Sequence, residues 1–128
     1  MSELRILVVL ALALVLVVDA SASRRATPRE RAEIVLALTT YVQRQNPVMI
    51  VRLDRIVVST VQPGSSTGFT RFAVAGALGR IALLGYYPSS KAWFVQTYGA
   101  QAAVCRTHPS RFGGRRTAIL RDLGLSCP

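Results

Sequence analysis

The chain has 128 residues, 51% of them hydrophobic, with 16 Lys and Arg against 6 Asp and Glu, a formal net charge of +10. That length holds one domain with a modest core and is too short for two. A single histidine and two cysteines cannot close a four-ligand zinc site, so neither a metal nor a cofactor is expected.

The first element reads as an export signal. Ile6 to Val18 is an unbroken apolar run of 13 residues; a bilayer-spanning helix needs roughly 20, a secretory core about 7 to 15. Ala20 and Ala22 flank Ser21 as the small residues a signal peptidase reads. Cleavage is therefore expected after Ala22, with 1–22 as the signal peptide and 23–128 as a single small α+β domain, periplasmic or extracellular. The alternative is an uncleaved membrane anchor, because Glu3 weakens the positive start and Asp19 lies close to the cut. No cysteine follows the run to carry a lipid, and Arg24-Arg25 comes after it, where a twin-arginine signal would precede it.

Removing Met1 to Ala22 leaves 106 residues and takes away Arg5, Glu3 and Asp19, so 15 basic side chains face 4 acidic ones, a net of +11. Such a field draws anionic partners and says nothing about fold. Every basic residue except Lys91 is arginine, the better fork for phosphate or carboxylate; a GC-rich genome produces the same bias through its codons.

The first folded element starts at "TPRE". Thr27 and Glu30 form a capping box, each side chain meeting the other's backbone amide, and Pro28 takes the first helical position. Ile34, Val35, Leu38, Tyr41 and Val42 then draw one apolar stripe, and Asn46-Pro47 stops the helix. Glu30 with Glu33 is no catalytic pair, since Glu30 caps and Glu33 faces solvent.

From Val48 the pattern changes to β. "VMIVRLDRIVVSTV" sets Met49, Val51 and Leu53 on one face and then switches parity at Ile56 and Val58, which implies a bulge near Asp54-Arg55. "QPGSSTG" is a loop, and "FTRFAVAGAL", "RIALLGYY" and "KAWFVQTY" follow as strands with connections short enough to make them antiparallel neighbours. The expected fold is α+β: an N-terminal helix packed on a four-stranded antiparallel sheet in two layers, with a short C-terminal helix stapled by a disulfide.

This element order over residues 28 to 98, with Trp93 and Val95 in a "W-x-V" setting, resembles the cystatin-like and nuclear-transport-factor-like helix-plus-meander domains. The resemblance implies that fold alone. The central loop "VQPGSSTG" lacks the Q-x-V-x-G order of cystatin inhibitors, and the group also contains pocket-bearing enzymes.

Ala73, Ala75 and Ala77 pave one face of the second strand, read as the side away from the helix and as a surface for a dimer or a shallow pocket, unless the C-terminal segment covers it. On the last strand Trp93, Val95 and Thr97 share one face, and Phe94, Gln96 and Tyr98 the other.

Beyond the strands, Cys105 and Cys127 are expected to form a disulfide, as two cysteines in an exported domain usually do. Between them a helix near Arg115 to Leu123 turns Ile119, Leu120 and Leu123 inward and stops at Gly124, with Leu125 folding back on Leu120. Gly113 and Gly114 loosen the loop before it, and Arg111, Arg115 and Arg116 surround the helix start as a candidate anion site. His108 three residues after Cys105 could serve a nucleophile only if that thiol were reduced. No phosphate-loop or H-E-x-x-H pattern occurs, and no catalytic residue is assigned. Aromatic and basic residues are not interleaved as a nucleic-acid groove would require.

These observations imply an exported, non-enzymatic binding protein whose partner is an anionic envelope component or another protein. The alternatives are a structural subunit self-associating into a homodimer or larger assembly through its sheet face, and a small enzyme with a pocket between helix and sheet.

Overall fold

A computed structural model describes residues 23–128; the expected signal segment, 1–22, lies outside them. In chain order the elements are strand β1 (Arg24–Arg25), helix α1 (Pro28–Gln45), strands β2 (Leu53–Val58), β3 (Arg71–Ala77), β4 (Arg80–Tyr87) and β5 (Ala92–Gly99), and helices α2 (Gln101–Cys105) and α3 (Arg116–Asp122). Single 3-10 turns cover Ser65–Thr67 and Pro109–Phe112. Among the described residues, no helix is long and apolar enough to cross a membrane.

The α+β class is as expected, but the sheet has five strands in sequential order, not four, each antiparallel to its neighbour. The extra strand is β1, whose Arg24 and Arg25 pair with Val58 and Val57. Two residues are too few to show an alternation, so nothing local announces it.

Local chemistry starts α1 as its sequence dictates: the Thr27 hydroxyl accepts from the Glu30 amide, and the Glu30 carboxylate accepts from the Thr27 amide. The stripe of Ile34, Leu38 and Val42 is then buried against Ile56, Val58, Ala73, Ala75, Ala77, Leu84 and Trp93. Burying a residue such as Leu38, which is fully enclosed, contributes about 2 kcal/mol over leaving it in water. The alanine-paved face therefore lies under the helix, contrary to the sequence expectation. Methyl side chains let the sheet accept the bulk that α1 supplies, and bulk on one side matched by small residues on the other is what close packing requires.

The opposite face of the sheet is covered too, making three layers where two were expected. Val57, Phe72 and Leu83 pack there with Val104, Phe112, Ile119, Leu120 and Leu123 from the C-terminal segment. The inward residues expected of α3 are the ones found.

Two irregularities set which side chains face which layer. The register of β2 against β3 shifts between Leu53 and Arg55, the bulge expected near Asp54. Pairing begins only at Leu53, but the alternation starts earlier: Met49 and Val51 pack on the helix-side core, while Val48 and Ile50 are exposed. The second shift, between Leu83 and Leu84, leaves Gln96 of β5 without an opposite residue. Parity reverses there, so Tyr98 joins Trp93 and Val95 on the helix side, and the Thr97 hydroxyl meets that of Thr107 at 2.7 Å. The sequence expectation had Thr97 and Tyr98 on the wrong faces because one extra residue exchanges every side chain beyond it.

The C-terminal segment is fastened at several points. Cys105 and Cys127 stand at disulfide-bonded distance, with Cα atoms 5.4 Å apart. Cys105 ends the short helix α2, which the sequence reading did not foresee, instead of following directly on β5. At the end of α3, Gly124 adopts a left-handed conformation, and the Gly124 and Leu125 amides donate to the Arg121 and Leu120 carbonyls at 2.9 and 3.0 Å. That is the Schellman closure implied by Gly124-Leu125. Asp122 ties α3 to the end of β2, accepting from the Ser59 hydroxyl and the Thr60 amide at 2.8 Å each.

Candidate functional site: an arginine-lined cleft

A charged recess forms where β1 ends. The chain turns away at Ala26 toward α1, while β2 runs on through Ile56, Arg55 and Asp54, whose outer edge has no strand beside it among the described residues. The gap is a cleft of about 640 Å³ whose polar lining comes from Ser23, Arg24, Arg25, Arg31, Asp54 and Arg55. Three elements thus contribute: β1 its two arginines, the first turn of α1 Arg31, and the bulged start of β2 Arg55.

The rim is fixed by an ion pair. Arg24 donates to both oxygens of Glu30, at 2.6 and 2.9 Å. Glu30 also accepts from the Thr27 amide at 3.0 Å, and Arg71 Nε stands 3.7 Å away. The Arg71 guanidinium in turn lies 4.2 Å over the Tyr86 ring and 5.7 Å from that of Trp93, a cation–π arrangement. The Arg24 hydrogen bond, reinforced by Thr27 and only partly opposed by burial, holds the Glu30 carboxyl at about 2. The same bond raises Arg24 above its ordinary value. A carboxylate so firmly ionised is an anchor and is unsuited to exchange protons near neutrality.

The other three arginines of the cleft are different. Arg25, Arg31 and Arg55 are exposed, and none has a carboxylate within ion-pair distance among the described residues. Asp54, flanked in sequence by Arg52 and Arg55, forms no ion pair among the described residues either. It is the one acid in the lining, so the cleft keeps an excess of cations even after Arg24 is matched to Glu30.

The arginines singled out in sequence are distributed over different tasks. The Arg116 guanidinium donates to the Cys105 carbonyl, and Arg111 reaches Gln96 at 3.5 Å. Arg115 is exposed at the N-cap of α3 and makes no side-chain capping bond. Both cysteines are bridged, and His108 accepts from the Ser110 amide at 3.2 Å, so Cys105 and His108 do not form a thiol and base pair. The groove between α1 and β5 is lined by Tyr41, Arg44, Trp93, Phe94 and neighbouring small side chains, with no carboxylate or imidazole. Among the described residues no cluster of three potential metal ligands occurs.

Sequence reasoning missed the cleft because its members are spread from position 24 to position 55. Arg24-Arg25 was legible as a basic pair, but its pairing with β2, which brings Arg55 near, depends on a contact more than 30 residues away along the chain. No family model, curated protein or solved structure matches the chain, so the cleft is interpreted from its own geometry and the likeness to helix-plus-meander domains rests on element order alone.

Proposed function

We propose that the protein is an exported, non-enzymatic binding protein that takes a phosphate-bearing anionic component of the cell envelope into the arginine-lined cleft. One observation carries this reading: Arg25, Arg31 and Arg55 converge on one opening from three elements without carboxylate partners among the described residues. Guanidinium forks offer paired donors that match the oxygens of a phosphate, and they keep their charge at every physiological pH. The shared ligand chemistry is a phosphodiester, carried either by a lipid headgroup or by a soluble polyol-phosphate chain. The surrounding positive field raises the encounter rate with either.

The test holds net charge constant. Arg25→Ser with Arg55→Ser removes two charges from the cleft; Arg111→Ser with Arg115→Ser removes two from the C-terminal segment. Binding to a soluble glycerol-phosphate oligomer and to phosphatidylglycerol vesicles is measured for each. The cleft variant is expected to lose about tenfold or more in affinity, the equivalent of one charge-assisted contact, and the tail variant much less. Equal losses would mean a diffuse field without a site. A loss confined to the tail variant would move the site to Arg111, Arg115 and Arg116.

A further inference from the structure

Ser23 is half-buried and lines the arginine cleft, and it stands immediately after the expected cleavage point. We propose that export processing completes the binding site, because the α-ammonium created on Ser23 is a further ligand-binding group of the cleft. The inference rests on the phosphate-binding reading given above.

Hydrolysis of the Ala22–Ser23 peptide bond consumes one water and leaves a carboxylate on Ala22 and an α-ammonium on Ser23. Before hydrolysis that nitrogen is a neutral amide with one proton to donate. Afterwards it carries a charge and three donors. A new chain terminus is ordinarily frayed and contributes little, but this one is fixed within two residues. Arg24 is bonded twice to Glu30, at 2.6 and 2.9 Å, and Arg24 and Arg25 are paired with Val58 and Val57 of β2. The residue that carries the ammonium is therefore held in the lining of the cleft, and a ligand that contacts it does not have to order a frayed end first.

The consequence is a pH dependence that arginine alone cannot produce. An α-amino group ordinarily titrates at about 7.7 to 8.0. The charged groups that line the cleft with Ser23 are Arg24 and Arg25 from β1, Arg31 from α1, and Asp54 and Arg55 from β2. The arginine excess favours the neutral amine in the empty cleft, and a bound phosphodiester favours the ammonium. Binding should accordingly weaken as pH rises from 6.5 to 9, although the phosphodiester keeps one charge throughout.

The experiment uses the exported chain carrying Lys91→Arg, so that the terminal amine is the only amine in residues 23–128. Intact mass first establishes the start at Ser23. Half of the sample is then acetylated, and affinity for the glycerol-phosphate oligomer is measured from pH 6.5 to 9, with Arg106→Ser as a control that removes one charge from an exposed position elsewhere. The free-amine form is expected to bind about tenfold more tightly than the acetylated form at pH 6.5, to lose that advantage by pH 9, and to exceed any effect of Arg106→Ser. Circular dichroism of both forms must coincide. Equal affinity of the two forms, with binding still dependent on Arg25 and Arg55, would overturn this inference and leave the phosphate-binding reading standing. Binding insensitive to those arginines would overturn both, and an exported mass that retains residues 1–22 would overturn this one alone.

Discussion

Arg24 and Glu30 meet through two hydrogen bonds, at 2.6 and 2.9 Å, and Glu30 simultaneously closes the capping box of α1. One carboxylate thus fastens the outermost strand of the sheet to the first turn of the helix. The same contact fixes one wall of the cleft, so the stability of this corner and the shape of the candidate site depend on a common group.

Glu30→Gln is expected to lower the free energy of unfolding at pH 7 by about 2 kcal/mol, through a weakened cap and an Arg24 left without its ion partner. The pH dependence has a definite sign. A carboxyl held at about 2 in the folded chain, against 4.5 ordinarily, stabilises the fold fully above the unfolded value, and the contribution disappears as pH falls toward the folded one. Urea titrations at intervals from pH 7 to pH 2 should show the two proteins converging between pH 4.5 and 2. A gap that stays constant across that interval would mean the pair does not supply the stability.

The alanine face supplies a packing prediction. Ala75 is fully buried between α1 and the sheet, so Ala75→Leu forces side chains off their rotamers and should cost on the order of 1–3 kcal/mol. Leu36→Ala, on the outer side of α1 where Leu36 is 68% exposed, should change stability by less than about 0.5 kcal/mol. If Ala75→Leu were neutral, the helix would not be seated on that face.

What was legible in the sequence was what neighbouring residues decide among themselves. The capping box joins residues three apart, the Schellman closure joins Leu120 to Leu125, and the bulge near Asp54 announces itself as a change of parity within one strand. Contacts between distant segments were not legible. Which side of the sheet α1 covers is settled by volume: the alanines of β3 leave room on one side, and Phe72 projects to the other, where it meets Phe112 with ring centroids 5.0 Å apart. Gln96 falls in a strand, AWFVQTYG, that has no apolar–polar alternation for a bulge to break, so its bulge has no local sign. The cleft suffered doubly, since it needs both the two-residue strand β1 and the far end of β2.

A close backbone approach tests the junction between the β2–β3 loop and the C-terminal segment. Gly64, in the loop between β2 and β3, donates to the Phe112 carbonyl at 3.3 Å, and a Cβ on it would lie 2.3 Å from the Gly113 carbonyl oxygen. Backbone cannot yield as a side chain does, so Gly64→Ala should separate the loop from the Pro109–Phe112 turn at a cost of on the order of 2–3 kcal/mol. Hydrogen exchange at the residue-64 amide, which donates across the junction to the Phe112 carbonyl, should accelerate in the variant. Unchanged protection there would show that the contact does not hold the loop in solution.

The disulfide closes a loop with a sequence separation of 22, and in the chain-entropy account such a loop contributes about 3 kcal/mol. Cys127→Ser should therefore lower the thermal midpoint markedly, and alkylation of the unreduced parent should modify neither cysteine. Labelling of both thiols in the folded, unreduced protein would exclude the bridge.

Arg115 and Arg116 are adjacent in sequence and should separate cleanly by measurement. Arg116 is half-buried and donates to the Cys105 carbonyl, which links the start of α3 to the residue that carries the bridge. Removing a charged donor from such an acceptor costs about 1.5–3 kcal/mol. Arg115 is exposed and its side chain caps nothing, so Arg115→Ser should alter stability by less than about 0.5 kcal/mol. Chemical denaturation of the two single variants decides the matter, and similar losses in both would mean that the Arg116 contact is not formed. The distinction also bears on the search for a binding site. A variant that includes Arg116→Ser loses part of the fold's fastening along with its charge, so weakened anion binding in it would not locate a site, whereas the same loss in Arg115→Ser alone would.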